Sequence, residues 1–286
     1  MANPLSKAIK SAVRMNADIG GLFADIGTNA HPRGYIQTAY RNASRNMAQA
    51  LQSEDRLGAA NEVLALLRRD VQIQTIGIYG TAQGMGAEES ARQLSLYGIQ
   101  TPSTDTAAIT LSRQSKSALE VTLTKLDAQA AAIRALILTD AEDGQILGDD
   151  NRAGVLTPGD VAATAAAWAA SLVWNSFDSW TRRYQGELVF QKQAIAALDG
   201  RTTNCCLEVH AQIQPMDKPF RLTGTPRFAD YMDWPGFHGW CRTSGVLYLA
   251  GFDDGLTSRM RDSADWFLDE RKAGRNPDRN PADAFE

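Results

Sequence analysis

Hydrophobic positions in this chain recur mostly at helical intervals. Leu5, Ile9 and Val13 stand at i, i+4 and i+8, which predicts a short amphipathic helix over residues 1–18. Residues 19–34 carry glycine and asparagine and read as loop. Residues 35–69 read as two helices; the second bears Leu57, Val63, Leu66 and Leu67 and closes on Arg68 and Arg69, cations suited to a helix C-terminus. At 71–79 the pattern changes. Val71, Ile73 and Thr75 alternate with Gln72 and Gln74, which predicts a strand or extended loop. A glycine-rich loop at Gly77, Gly80, Gly84 and Gly86 and a helix over 87–97 follow. A Pro-Ser-Thr-Asp break at 102–105 precedes a helix over 117–140, whose stripe is Leu119, Val121, Leu123, Leu126, Ile133, Leu136 and Ile137.

Residues 141–156 are acidic, polar and glycine-containing, the composition of a domain boundary. Beyond them Thr157, Pro158 and Asp160 supply an N-cap, a first-turn proline and a capping-box carboxylate. The stripe Val173, Phe177, Trp180, Tyr184 and Leu188 predicts one long helix running to Leu198, where Asp199-Gly200 marks a turn. Short strands are expected at 208–213 and 245–250, a final helix at 257–272, and a flexible tail from Gly274. The fold class is therefore mainly α with a small α+β C-terminal module, in which a long central helix precedes short antiparallel strands linked by a Cys/His-containing loop. The expected organisation is a helical region over 1–150, the module over 151–273 and the tail over 274–286.

Composition narrows the function. Hydrophobic residues make up 44% and charged residues 22% of 286, ordinary for a globular chain, and the net charge of −4 argues against a protein that coats nucleic acid. No run of about 18 apolar residues suggests a membrane span, and no signal-peptide pattern opens the chain. Three cysteines suit a reducing compartment and cannot all pair. The glycine run GTAQGMG lacks the lysine of a phosphate loop and is followed by Glu88, so it is not read as a nucleotide site.

The scarce residues cluster. Cys205, Cys206, Cys241, His210 and His238 all fall within 37 residues, with Cys206 and His210 four apart and His238 and Cys241 three apart. Cys206, His210, His238 and Cys241 as two paired knuckles have the ligand chemistry of a tetrahedral zinc site. Buried thiols with hydrogen-bonded histidines in a small core fit the same residues. A thiol nucleophile, Cys205 or Cys206 with His210 or His238 as base, is a further reading, as is a zinc hydrolase drawing on Glu208 or Asp233. Nothing in the sequence marks a nucleophile turn or an oxyanion hole.

Read in order, residues 190–248 resemble the Mu F-like head-morphogenesis family, minor head proteins of tailed bacteriophages. The family pattern runs F-x-K, then D-x-R-T-C-x-x-C-x-x-L-H-G, a loop with proline and aromatics, and H-P-N-C-R-C. Here stand Phe190 and Lys192, then Asp199, Arg201 and Thr202, with Thr203 at the first family cysteine and Cys206 at the second. His210 matches, Pro215, Pro219 and Pro235 furnish the loop, and the last block is His238, Cys241 and Arg242, with Thr243 at the final cysteine. The resemblance implies that positions 203 and 243 act together, and that Asp199 and Arg201 fix the turn before the first knuckle. It also implies a structural, non-enzymatic protein of the virion, made in the bacterial host cytoplasm and placed at the head or portal vertex. Its expected partners are portal and capsid proteins within a larger assembly, with at most weak contact to packaged DNA and none to membrane. Zinc is the one cofactor such knuckles suggest. A metal- or thiol-dependent hydrolase built on Cys206, His210, His238 and Cys241 is the alternative.

Overall fold

The alternation at 71–79 does not become a strand. In the computed structural model, which describes residues 3–27, 33–102, 113–149 and 152–278, Arg56–Leu96 is one continuous helix, α3. Its buried positions include Leu64, Leu67, Val71, Thr75, Tyr79 and Ala82, a spacing of three or four, while Ile73 is 58% exposed. The helical period therefore accounts for burial over the whole segment, and the short alternation is incidental. The expected glycine loop is likewise helical. At Gly86 a Cβ would stand 1.9 Å from the Val173 carbonyl oxygen, so the glycine is there for close backbone approach to the helix Gly159–Tyr184, α6. The break at 102–105 lies, apart from Pro102, outside the described residues, as does the tail beyond residue 278.

Two compact units are formed. One draws on residues 21–81 and 110–168. It contains helix Tyr35–Ala50 (α2), much of α3, helix Arg113–Leu138 (α4), the short helix Asp143–Leu147 (α5) and a two-stranded hairpin, Gly148–Asp149 (β1) with Arg152–Ala153 (β2). α2 buries Ile36, Tyr40, Ala43 and Met47; α4 buries Leu126, Ala130 and Ile133. Two buried tyrosines of this unit are paired: Tyr79 with Thr122 at 2.8 Å, and Tyr40 donating to Gln129 at 2.6 Å.

The other unit draws on residues 1–20, 82–109 and 169–286. Its centre is a three-stranded antiparallel sheet in the order β4-β3-β7, where β3 is Gln191–Ala196, β4 Ile213–Pro215 and β7 Thr243–Tyr248. Around it lie the helices Asn204–Val209 (α7) and Leu256–Lys272 (α8) and the hairpin of Phe220–Arg221 (β5) with Tyr231–Met232 (β6). The helix expected to reach Leu198 stops at Tyr184; Gly186 takes a left-handed φ of +63°, and the chain turns into β3. β3 is the central strand, covered on both faces, so it shows no alternation to read. The segment 208–213, expected as a strand, ends α7 and turns at Ala211, φ +65°, before β4 begins. Residues 19–26, expected as loop, are helical, because the first helix, Pro4–Ile26 (α1), continues through Gly20 and Gly21; residues 28–32 of that expected loop lie outside the described residues.

Ile195 and Val246 share one sheet face with Ala8 and Ala12 of α1 and Met260 of α8. Gln93 and Tyr97 of α3 satisfy β7: the Leu247 N–H donates to Gln93 Oε1 at 2.8 Å, and the Tyr97 hydroxyl donates to the Leu247 carbonyl at 2.8 Å. For these reasons the compact units do not coincide with the boundary read at residue 150.

Candidate metal centre

The opposite sheet face carries the cysteines. Ala194 and Ala196 of β3 pack with Cys205, Cys206 and Val209 of α7, Phe220, Leu222, Phe237 and Cys241. Small alanines on the strand leave room for α7 to lie close. Thr203 starts α7 as its N-cap, its hydroxyl accepting from the Cys206 N–H at 3.4 Å. That cap sets the direction in which Cys206 enters the core.

Cys206 Sγ lies 3.0 Å from His238 Nε2 and 3.8 Å from Cys241 Sγ. Among the described residues, Cys206, His238 and Cys241 are the group of three whose ligand atoms lie within 4.8 Å of one another, and all three are buried. Thr203 Oγ1 stands 2.9 Å from the same His238 Nε2. Thr243, fully buried, has a hydroxyl without a hydrogen-bond partner that interacts electrostatically with Cys206. His238 Nδ1 lies 2.6 Å from the Gly239 carbonyl, which can only accept. The neutral ring therefore carries its proton on Nδ1 and presents the Nε2 lone pair to the sulfurs, the orientation a ligating histidine needs.

Electrostatics within the cluster are coupled. The hydrogen bond to Cys241, with burial, pushes the Cys206 thiol well above its ordinary range. Burial opposes ionisation of Cys241, but a hydrogen bond from Cys206 and one from His238 when Nε2 is also protonated outweigh it and draw Cys241 towards thiolate. Burial likewise opposes the His238 imidazolium, and Cys241 more than offsets it. The chemistry on offer is two sulfurs and one imidazole nitrogen, a soft donor set that could hold a metal ion.

His210, expected as a fourth ligand, is not in this group. Its Nδ1 accepts from the Ala196 N–H at 2.9 Å, so the neutral ring carries its proton on Nε2, which is buried without a partner. Burial, with Arg261 nearby, pulls its pKa down to about 3. His210 ties the end of α7 to β3.

Asp199 has a partner beyond Arg201, with which it was expected to fix the turn. Its carboxylate accepts a two-pronged ion pair from Arg242, at 2.7 and 2.8 Å, joining the first block to the last. Burial works against the charge, yet the Arg242 fork and the Arg201 N–H hold the carboxyl below its usual range. Arg201 contributes that backbone N–H at 2.9 Å, while its side chain is 81% exposed.

Sequence reasoning assigned Lys192 no contact. It is fully buried, donates to the carbonyls of Asp233 at 2.6 Å and Met216 at 3.4 Å, and stands over the rings of Trp234 and Phe220 at 4.8 and 5.2 Å. Burial lowers its pKa, partly offset by Asp233 and Asp178. One ammonium thus pins the 216–234 loop to the central strand. Only the strand itself reveals this: with β3 in place, Lys192, Ala194 and Ala196 fall on one face.

No family model, curated protein or solved structure matches the chain. Among the described residues no helix is long and apolar enough to cross a membrane.

Proposed function

We propose that this chain is a structural minor head protein of a tailed bacteriophage. It docks to portal or capsid subunits and serves head assembly, genome packaging or DNA delivery. One observation carries the reading. The four positions at which the resembling pattern has cysteine are here Thr203, Cys206, Cys241 and Thr243; the first three meet at His238 and Thr243 lies against Cys206, although more than 30 residues separate the two blocks. The Asp199–Arg242 fork ties the same two blocks a second time. These contacts support a clasp that shapes a docking module.

In this reading Cys206, His238 and Cys241 hold zinc, which supplies a cross-link between the blocks. The cluster supplies three of the four ligands of a tetrahedral zinc, and their spacing fits: two thiolates with bonds of about 2.3 Å stand about 3.8 Å apart, and the sulfurs lie at 3.8 Å. The 3.0 Å sulfur–nitrogen contact opens by about 0.5 Å to admit the ion. Burial of Cys206 and Cys241, 2% and 0% exposed, supports a structural rather than a catalytic use, because a nucleophile or an open metal position needs a substrate path.

Co-expression with the portal and capsid proteins of the same phage tests the proposal. The chain is expected to sediment with assembled heads on a gradient. Heads that form while the chain stays wholly in the free fraction would overturn the reading.

A further inference from the structure

We infer that Cys206 and Cys241 are a closable dithiol: without metal, the two thiols oxidise to a disulfide that joins α7 to the chain entering β7. The inference rests on the reading of this cluster as the clasp between the two blocks, and gives that clasp a second, metal-free state.

The geometry carries it. The two sulfurs lie 3.8 Å apart across 35 residues of chain, in direct van der Waals contact. Both sit in one apolar core, so neither thiol must be brought in from elsewhere. A base is at hand: His238 Nε2 is 3.0 Å from Cys206 Sγ, with its own orientation set by Gly239 and Thr203. Cys205 is buried beside them but does not belong to the ligand group, so the pairing is defined although the cysteine count is odd.

The oxidant is a small peroxide, because burial leaves little approach for a bulky one. One sulfur, as thiolate, attacks hydrogen peroxide; an S–O bond forms, the O–O bond breaks, and hydroxide leaves to take up a proton as water. The second sulfur, its proton passing to His238, then attacks the sulfenic acid. The S–S bond forms, the S–O bond breaks, and a second water leaves. Two thiols and one peroxide become one disulfide and two waters. In the proposed life of the protein this conversion suits passage from a reducing cytoplasm to an oxidising exterior.

The test uses the full chain. Zinc content is measured first, the protein is stripped with a chelator and treated with hydrogen peroxide, and free thiols are then alkylated in denaturant. Intact mass and peptide mapping should show the loss of two hydrogens, one alkylated cysteine at Cys205, and a Cys206–Cys241 cross-link. The Cys205→Ser variant should give the same cross-link with no alkylated thiol. Oxidised glutathione should react far more slowly than peroxide. Three alkylatable thiols after oxidation, a cross-link that includes Cys205, or sulfinic acid without a disulfide would each overturn the inference. Stoichiometric zinc with no cross-link after stripping leaves the metal reading standing and removes this one. A cross-link in a protein that never binds zinc does the reverse.

Discussion

At His210 the Ala196 N–H makes Nδ1 an acceptor; at His238 the Gly239 carbonyl makes Nδ1 a donor. The same side chain thereby becomes a buried structural hydrogen-bond acceptor in one place and a candidate ligand in the other. The linkage of His210 to pH has a definite sign. Its folded pKa, about 3, lies below the unfolded value, so the unfolded chain takes the proton first as pH falls. Stability is full above about pH 6.5 and declines below it, by about 2 kcal/mol at pH 5. Urea unfolding at pH 7 and pH 5 should show this loss, and His210→Gln should flatten it; an unchanged pH slope in the variant would contradict the assignment. The Asp199–Arg242 fork gives a second residue-scale contrast. Arg242→Ala should cost about 1–3 kcal/mol in the same assay, whereas Arg201→Ala should stay within about 0.5 kcal/mol. Comparable losses in both would mean that the exposed Arg201 side chain matters as much as the fork. Scarcity of Cys and His located Cys206, His238 and Cys241 in the sequence. Spacing was blind to the backbone groups that turn the rings, and so it placed His210 among the ligands.

Helix α3 shows what pattern reading captures and what it misses. Leu64, Leu67, Val71, Thr75 and Tyr79 are buried along one helical face, but Ile73 stands on the exposed side between Val71 and Thr75 and imitates a strand. The glycines misled in the same direction. Each has its own surroundings: added methyls at Gly77 and Gly80 meet nothing within 4 Å, while one at Gly86 meets the Val173 backbone. Gly77→Ala should therefore raise stability by about 0.5–1 kcal/mol, as expected for an open position inside a helix. Gly86→Ala should lower it by about 1–3 kcal/mol by forcing α3 and α6 apart. Thermal melts of the two variants check this, and a shift of the same sign in both would argue against the continuous helix. β3 was illegible for a related reason. Its sequence QKQAIA holds three polar residues, yet Lys192 and Gln193 are buried because carbonyls and a hydroxyl receive them: Asp233 for Lys192, Ala211 and Thr257 for Gln193.

For the whole molecule, mainly helical architecture with a small C-terminal sheet was legible from helical periodicity and turn signals. The grouping into units was not, since no local pattern announces that Gln93 will serve a strand more than 150 residues later. The clasp at Thr203, Cys206, His238, Cys241 and Thr243 and the fork at Asp199 and Arg242 hold the two blocks of the C-terminal module together, with chemistry suited to holding shape. If the clasp carries zinc, purified protein should contain about one equivalent by elemental analysis, and Cys206→Ser or His238→Ala should lower both zinc content and melting temperature. Zinc-free protein with an undiminished melting temperature would leave the clasp to packing alone. The central claim is that the module docks into a phage head. Its most direct test is the copy number and position of the tagged chain in purified particles, by quantitative mass spectrometry and cryo-electron microscopy. The account predicts a few copies per particle at or near the portal vertex. Particles that are complete and infectious without the chain, with no density for it at that vertex, would contradict it.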